Sequence, residues 1–238
     1  AYARTNSPLF KDSAQRSIDF ILKAQNPYLG WRYGVRPQDN DTSVTGWAVA
    51  ALAAGRRAGL RVGREGFDGG LAWVEKVTEP EYGRVGYTTR GSGPARPQDL
   101  MDQFPADKSE SLTAVGILAR IFCGEDPSNS EMISKGTDLC LKALPLWDEA
   151  SGSIDMYYWY YGCLAIFQVG GTAWEKWNLA IKEAIVPNQK KGPPSFRGSW
   201  DPIGPWGREG GRVYSTATMV MCMEVYYRYK QVFGAGGR

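Results

Sequence analysis

The stretch Gln25–Gly59, QNPYLGWRYGVRPQDNDTSVTGWAVAALAAGRRAG, decides the fold. It holds the end of one helix, a loop rich in Gly, aromatic and acidic residues, and a second, strongly marked helix. Asp41 stands at an N-cap position, where a carboxylate accepts from first-turn N–H groups that no intrahelical carbonyl reaches. After it, Val44, Trp47, Ala48, Ala51, Leu52 and Gly55 recur at the i, i+3, i+4, i+7 spacing of one buried helical face. Asn26-Pro27 stops the preceding helix, because proline disfavours the α region for the residue before it. The spacing predicts a first helix capped by Asp12 or Ser13, with Ile18, Ile21, Leu22 and Gln25 on one face, and a second helix from Thr42 to Gly59.

Looser copies of this unit follow. The first unit spans 12–59 and the second 67–124: Leu71, Trp73, Val74 and Val77 form a short helix stopped by Pro80. A Gly-, Pro- and Arg-rich segment from Glu81 to Asp107 follows it. That segment has no helical period and exceeds ordinary connection lengths, which marks a functional or partner-covering loop. Ser109, Glu110 and Ser111 then introduce a helix carrying Leu112, Val115, Gly116, Ala119 and Phe122, closed by Gly124. The third unit, 130–171, has Asn129 or Ser130 as cap and Ile133, Gly136, Thr137 and Cys140 in register. Asp155 caps its second helix, MYYWYYGCLAIFQVGG, which is apolar or aromatic on every side and therefore buried all round. In the fourth unit, 173–231, Trp174, Trp177, Ile181 and Ile185 share a face. A Trp-, Gly- and Arg-rich loop separates them from a last helix, Ser215–Lys230, expected to be mostly buried.

Connections inside each unit are long and aromatic; those between units are short. Antiparallel hairpins joined in this way stack side by side, with the more apolar second helices facing inward. The long loops then gather at one end, around the N-termini of the inner helices, which makes that end the expected binding face. Residues 1–11 read as a polar leader and 234–238 as a frayed tail.

Composition excludes more than it assigns. With 238 residues, 43% apolar and 22% charged, the chain is an ordinary globular protein and is read as one domain. A net charge of +3 argues for neither a nucleic-acid nor a membrane partner. The cluster Arg56, Arg57, Arg61 and Arg64 is read as complementing a helix C-terminus. No apolar run is long enough to span a bilayer. The start Ala1-Tyr2-Ala3 leads to the expectation that any export signal is absent or removed, and the compartment stays open. The sequence has no His at all, which removes Ser-His-Asp and Cys-His chemistry and His-ligated metals. Acid or base work falls to Asp, Glu, Tyr, Cys or Lys. The four Cys lie far apart without CxxC spacing and are read as buried thiols, with a disulfide between inner helices as the alternative. No cofactor and no metal is expected.

Arg16, Phe20, Ile21, Gln25 and Trp31 fall at the spacings of the QW repeat, with its Gly shifted to Gly30. Fainter copies begin at Lys135-Gly136, at Gly70 with Trp73-Val74, and at Gln189 with Gly198 and Trp200. In these residues the chain resembles the terpenoid cyclase and protein prenyltransferase superfamily, most of all the bacterial squalene–hopene cyclase-like repeat proteins. The resemblance implies an all-α fold, an α/α toroid-like arc of about four hairpins. Full toroids have more, so it also implies an open ring or one completed by another domain or subunit. The Gln and Trp of the repeat are implied to be structural staples.

Class II cyclases of that superfamily carry a DxDD motif whose middle Asp protonates the isoprenoid. Here the matching stretch is Gln38-Asp39-Asn40-Asp41, with Asn40 at the donor position. The prenyltransferase zinc set of Asp, Cys and His is not available. Cys123-Gly124-Glu125-Asp126 lacks the Gln of a thioester motif.

Three functions are therefore weighed. A non-catalytic repeat module would bind a partner protein or an apolar ligand through Trp31, Tyr33, Asp39, Tyr157, Trp159, Trp200, Asp201, Trp206, Arg208 and Arg212. An isoprenoid enzyme would use Asp39 or Asp41 as acid, with aromatic rings stabilising carbocations. A glycan-handling α/α barrel would use Trp platforms with Asp39, Asp155 and Asp201. Replacement of the donor Asp by Asn40 favours the module.

Overall fold

A computed structural model describes residues 1–228 of the chain. It is all-α: no strand forms among the described residues, and the only β-type pairing is an isolated bridge between Thr78 and Val85. A short α1 (Tyr2–Thr5) precedes α2 (Pro8–Ala24), α3 (Thr42–Arg57), α4 (Glu65–Val77), α5 (Ser111–Cys123) and α6 (Glu131–Lys142). Then come α7 (Met156–Val169), α8 (Gly171–Ile185), α9 (Gly207–Met223) and a short α10 (Val225–Arg228). Two 3₁₀ turns, Gln98–Leu100 and Ala106–Lys108, lie in the long second loop.

Three predicted caps are made as expected. Asp41 accepts from Val44 N at 2.7 Å, Ser130 from Ile133 N at 3.3 Å and Asp155 from Tyr158 N at 3.0 Å. Two boundaries differ. The first helix begins at Pro8 rather than near Ser13, because proline suits the first helical turn, where its missing N–H is not needed. Residues 1–11 are thus largely helical rather than a plain leader. The last long helix begins at Gly207, eight residues before Ser215, and breaks at Gly211, whose φ of 64° only glycine adopts freely. Its C-terminal half is less buried than expected, with Val220 and Met223 exposed. Residues 229–230 of that predicted helix and the tail 234–238 lie outside the described residues.

The second helices of the units pack in chain order, α3 on α5, α5 on α7 and α7 on α9. Around them α2 lies on α3, α4 on α3 and α5, α6 on α5 and α8, and α8 on α7. The helices α6 and α8 therefore sit against the helices that precede them, α5 and α7, across short connections. Within the third unit, Tyr158 of α7 reaches α6 through its hydroxyl, which donates to Cys140 O at 3.2 Å. α5 and α7 carry the core and are buried on nearly every side. At Gly46 the α3–α5 approach is so close that a Cβ would strike the Val115 side chain.

Two staples repeat. Trp31 Nε1 donates to Ile21 O at 2.7 Å and Trp200 Nε1 to Ile185 O at 2.8 Å, each holding the end of an outer helix. Their backbone N–H groups donate to Thr45 Oγ1 at 3.0 Å and Thr216 Oγ1 at 3.3 Å on the following inner helix. Gln25 Nε2 ties Leu29 O at 2.7 Å to the carbonyls of Glu65 and Gly66 at 3.3 Å.

Candidate functional site

The N-terminal ends of α3, α5, α7 and α9 surround a cleft of about 470 Å³. α3 contributes Ser43, Val44 and Trp47; α5 contributes Ser111 and Leu112; α7 contributes Tyr157. From α9 and the residue before it come Trp206, Glu209, Gly210 and Tyr214, and the loops add Tyr33, Tyr87 and Ala95. Six lining side chains are aromatic, and Glu209 is the only charged one among the described residues. Aromatic walls with a few polar groups are typical of small-ligand sites, and the volume falls in their range.

The second loop reaches the cleft because its backbone is stitched to α3. Thr42 N donates to Tyr87 O at 3.0 Å, and Thr42 Oγ1 donates to Gly86 O at 2.6 Å. Tyr87 is thereby fixed beside the N-terminus of α3. Ser43 Oγ and the Tyr157 hydroxyl share a hydrogen bond of 2.9 Å across the α3–α7 junction. Burial pushes the Tyr87 phenol up to about 12, with help from the nearby Asp41 charge. Burial also raises Tyr157 and Tyr214. Tyr87, Tyr157 and Tyr214 therefore stay neutral near pH 7 and present hydroxyls rather than charges. The Tyr214 hydroxyl is buried and has no hydrogen-bond partner among the described residues.

Asp41 lies behind this wall, fully buried. Its Oδ1 caps α3. Its Oδ2 receives no hydrogen bond among the described residues, and the nearest cation, Arg32 Nε, stands 3.8 Å away. Burial raises its pKa above the ordinary carboxylate value; the Val44 N–H, the Arg32 charge and the Tyr87 hydroxyl pull the other way and are outweighed.

The predicted site residues divide into three groups. Tyr33, Tyr157 and Trp206 come together at the cleft. Trp31, Trp159 and Trp200 do not: each is 3% exposed or less, and Trp31 and Trp200 spend their indole N–H groups on helix ends. No ligand on the surface reaches them, so they belong to the core rather than to a binding face. The charged residues are paired elsewhere. Asp39 is exposed and bound to Arg32 at 2.6 Å; Arg208 pairs with Asp99 at 2.6 Å and with Glu209 at 2.9 Å. Asp201 sits between Lys190 and Arg212, both of which lower its pKa, and Arg212 also covers the Phe196 ring. Asp155 is locked in a buried ion pair with Arg96. Asp39, Asp155 and Asp201 are thus held by cations at three separate places.

Sequence reasoning missed Trp47, Tyr87, Glu209 and Tyr214. Trp47 falls on the predicted buried face of α3 but is 49% exposed, because that face is rotated: Thr45, Val49, Leu52 and Ala53 point into the core. Glu209 and Tyr214 precede the predicted start of the last helix. Tyr87 lies in the segment marked as functional for its length, and no aromatic residue was singled out there.

No cluster of three or more Cys, Asp or Glu suited to a metal ion occurs among the described residues. All four cysteines are free, and burial holds Cys123, Cys140 and Cys222 well above the usual thiol range. No helix among the described residues is long and apolar enough to cross a membrane. Compared with known proteins, the chain matches no family model, no curated protein and no solved structure.

Proposed function

We propose that this chain is a helical-hairpin repeat domain of α/α-toroid type, similar to the terpenoid cyclase and protein prenyltransferase superfamily, whose aromatic cleft binds an apolar ligand. The order of helix packing supports the toroid reading, with α3, α5, α7 and α9 neighbouring one another in sequence. The matching staples at Trp31 and Trp200 support it as well. A further domain or subunit would complete the ring. The observation that carries the function is the convergence of six aromatic rings, from three helix ends and two loops, on one open cleft without a lysine or arginine in its lining among the described residues. Rings placed in this way bury large apolar area at small entropic cost.

The test is titration with N-phenyl-1-naphthylamine, a neutral apolar fluorophore. Saturable 1:1 binding is expected, weakened at least tenfold by Tyr157→Ala combined with Trp206→Ala at unchanged helicity. An affinity that ignores both changes removes the cleft as the site.

A second reading, acid catalysis on an isoprenoid, has one specific observation in its favour: the buried Asp41 carboxyl, whose Oδ2 has no hydrogen bond among the described residues and whose pKa is raised by burial. Incubation with squalene or farnesyl diphosphate tests it. Product that disappears in Asp41→Asn would establish catalysis, and absence of product leaves the cleft as a binding site.

A further inference from the structure

Trp47 lines the aromatic cleft and also a second cavity, of about 340 Å³, further along the same helices. This one lies between the C-terminal half of α3 and the middle of α5 and α7. Its walls are the methyl groups of Ala50, Ala51 and Ala54 on one side and Leu118, Phe122 and Leu164 on the other. At 1.5 Å per helical residue, Arg57 stands roughly 15 Å beyond Trp47 along α3. Arg57 is exposed, and it is the only charged residue lining the cavity among the described residues.

The two neighbouring arginines differ. Arg56 is engaged, its guanidinium 4.2 Å over the Phe67 ring and donating to Phe122 O at 3.2 Å. Arg57 makes no ion pair or hydrogen bond among the described residues. The cavity therefore offers a narrow apolar trough with an uncommitted cation at its outer end. Its volume is at the small end for a ligand site and suits one chain rather than two.

We propose that this second cavity binds a single-chain amphiphile with an anionic head, the chain lying along α3 and the carboxylate or phosphate head resting on Arg57. The site shares Trp47 with the aromatic cleft and is otherwise lined by different residues, and the proposal does not depend on how that cleft is used. A neutral chain would leave the cation unused, and a cationic head would meet repulsion.

The experiment is isothermal titration of the intact protein with decanoate, decyl phosphate and decanol. Either anion is expected to bind at least threefold more tightly than decanol, and the better of the two names the head. From octanoate to decanoate, affinity should rise about fourfold per methylene. Arg57→Gln should erase the anion preference while leaving decanol unchanged, and Arg57→Lys should restore most of it. Ala51→Leu, which fills the trough, should weaken all three. Equal binding of decanol and decanoate, an Arg57→Gln protein that keeps the preference, or no binding at all overturns the proposal. So does a wild-type dimer that Ala51→Leu dissociates, which would assign the trough to a second copy of the chain.

Discussion

Asp41 and Asp155 cap two helices of the core and live differently. Each caps an inner helix through Oδ1, from Val44 N at 2.7 Å on α3 and Tyr158 N at 3.0 Å on α7. Each is buried to within 2% of its surface. The second oxygen separates them. Asp155 Oδ2 accepts from Arg96 Nη2 at 2.8 Å and Ser109 Oγ at 2.7 Å, both delivered by the loop before α5. Asp41 Oδ2 has no hydrogen bond of full geometry among the described residues: Arg32 commits its Nη1 to Asp39 at 2.6 Å and leaves Nε 3.8 Å away, and the Tyr87 hydroxyl is near enough only to pull the Asp41 pKa down against burial. A cap uses one carboxylate oxygen; the surroundings decide what becomes of the other. Around α7 they make it structural. At the cleft they leave a buried acceptor unfilled, a condition that buried polar groups rarely tolerate without a functional reason.

The largest effect should come from breaking the satisfied side. Arg96 is 3% exposed, so Arg96→Ala strands a buried carboxylate and should cost about 3–5 kcal/mol in urea unfolding. A loss below 1 kcal/mol would mean that water reaches Asp155 and that the two caps are not so different. Ser109→Ala removes one charge-assisted hydrogen bond and should cost about 1.5–3 kcal/mol. The corresponding partner of Asp41 is weaker: Arg32→Ala should cost less than about 1 kcal/mol, as a half-exposed and distant pair.

This contrast marks the limit of what the sequence makes legible. Both caps can be read from it, because an acidic residue just ahead of an apolar run has one local job, and helix order follows from the same periodicity. The partners cannot. Arg96 lies 59 residues from Asp155 and Ser109 lies 46 residues away, inside or beside a segment with no period of its own. Nothing local distinguishes Arg96 from Arg90, which shows no such contact. Trp47 misleads for a related reason: helical spacing defines a stripe, but rotation of that stripe by about one residue's angle, roughly 100°, turns an indole from core to cleft. The staple residue Trp31 was legible as structural from its repeat and less so as a binding candidate, since burial of an aromatic in a loop depends on which helix end it covers.

Smaller effects sharpen the Asp41 side. Asp41→Ala loses the cap and should cost about 1 kcal/mol, well short of Arg96→Ala. Asp41→Asn keeps the Oδ1-type acceptor and removes only the charge, so its effect should be the smallest and should depend on pH. Burial raises the Asp41 pKa above 3.8, so the folded protein holds this proton more tightly than the unfolded chain does. The stability gained from that is complete below the unfolded value and is lost as pH rises through the raised folded value. Asn does not titrate. Wild type should therefore lose stability relative to Asp41→Asn as pH climbs from about 4 towards neutrality, and the difference should then level off. Urea midpoints of the two proteins across that range measure it, because carboxylates far from the site contribute equally to both and cancel. A difference that ran the other way, with wild type gaining as pH rises, would show that Arg32 closes on Oδ2 in solution and that Asp41 is as fully satisfied as Asp155.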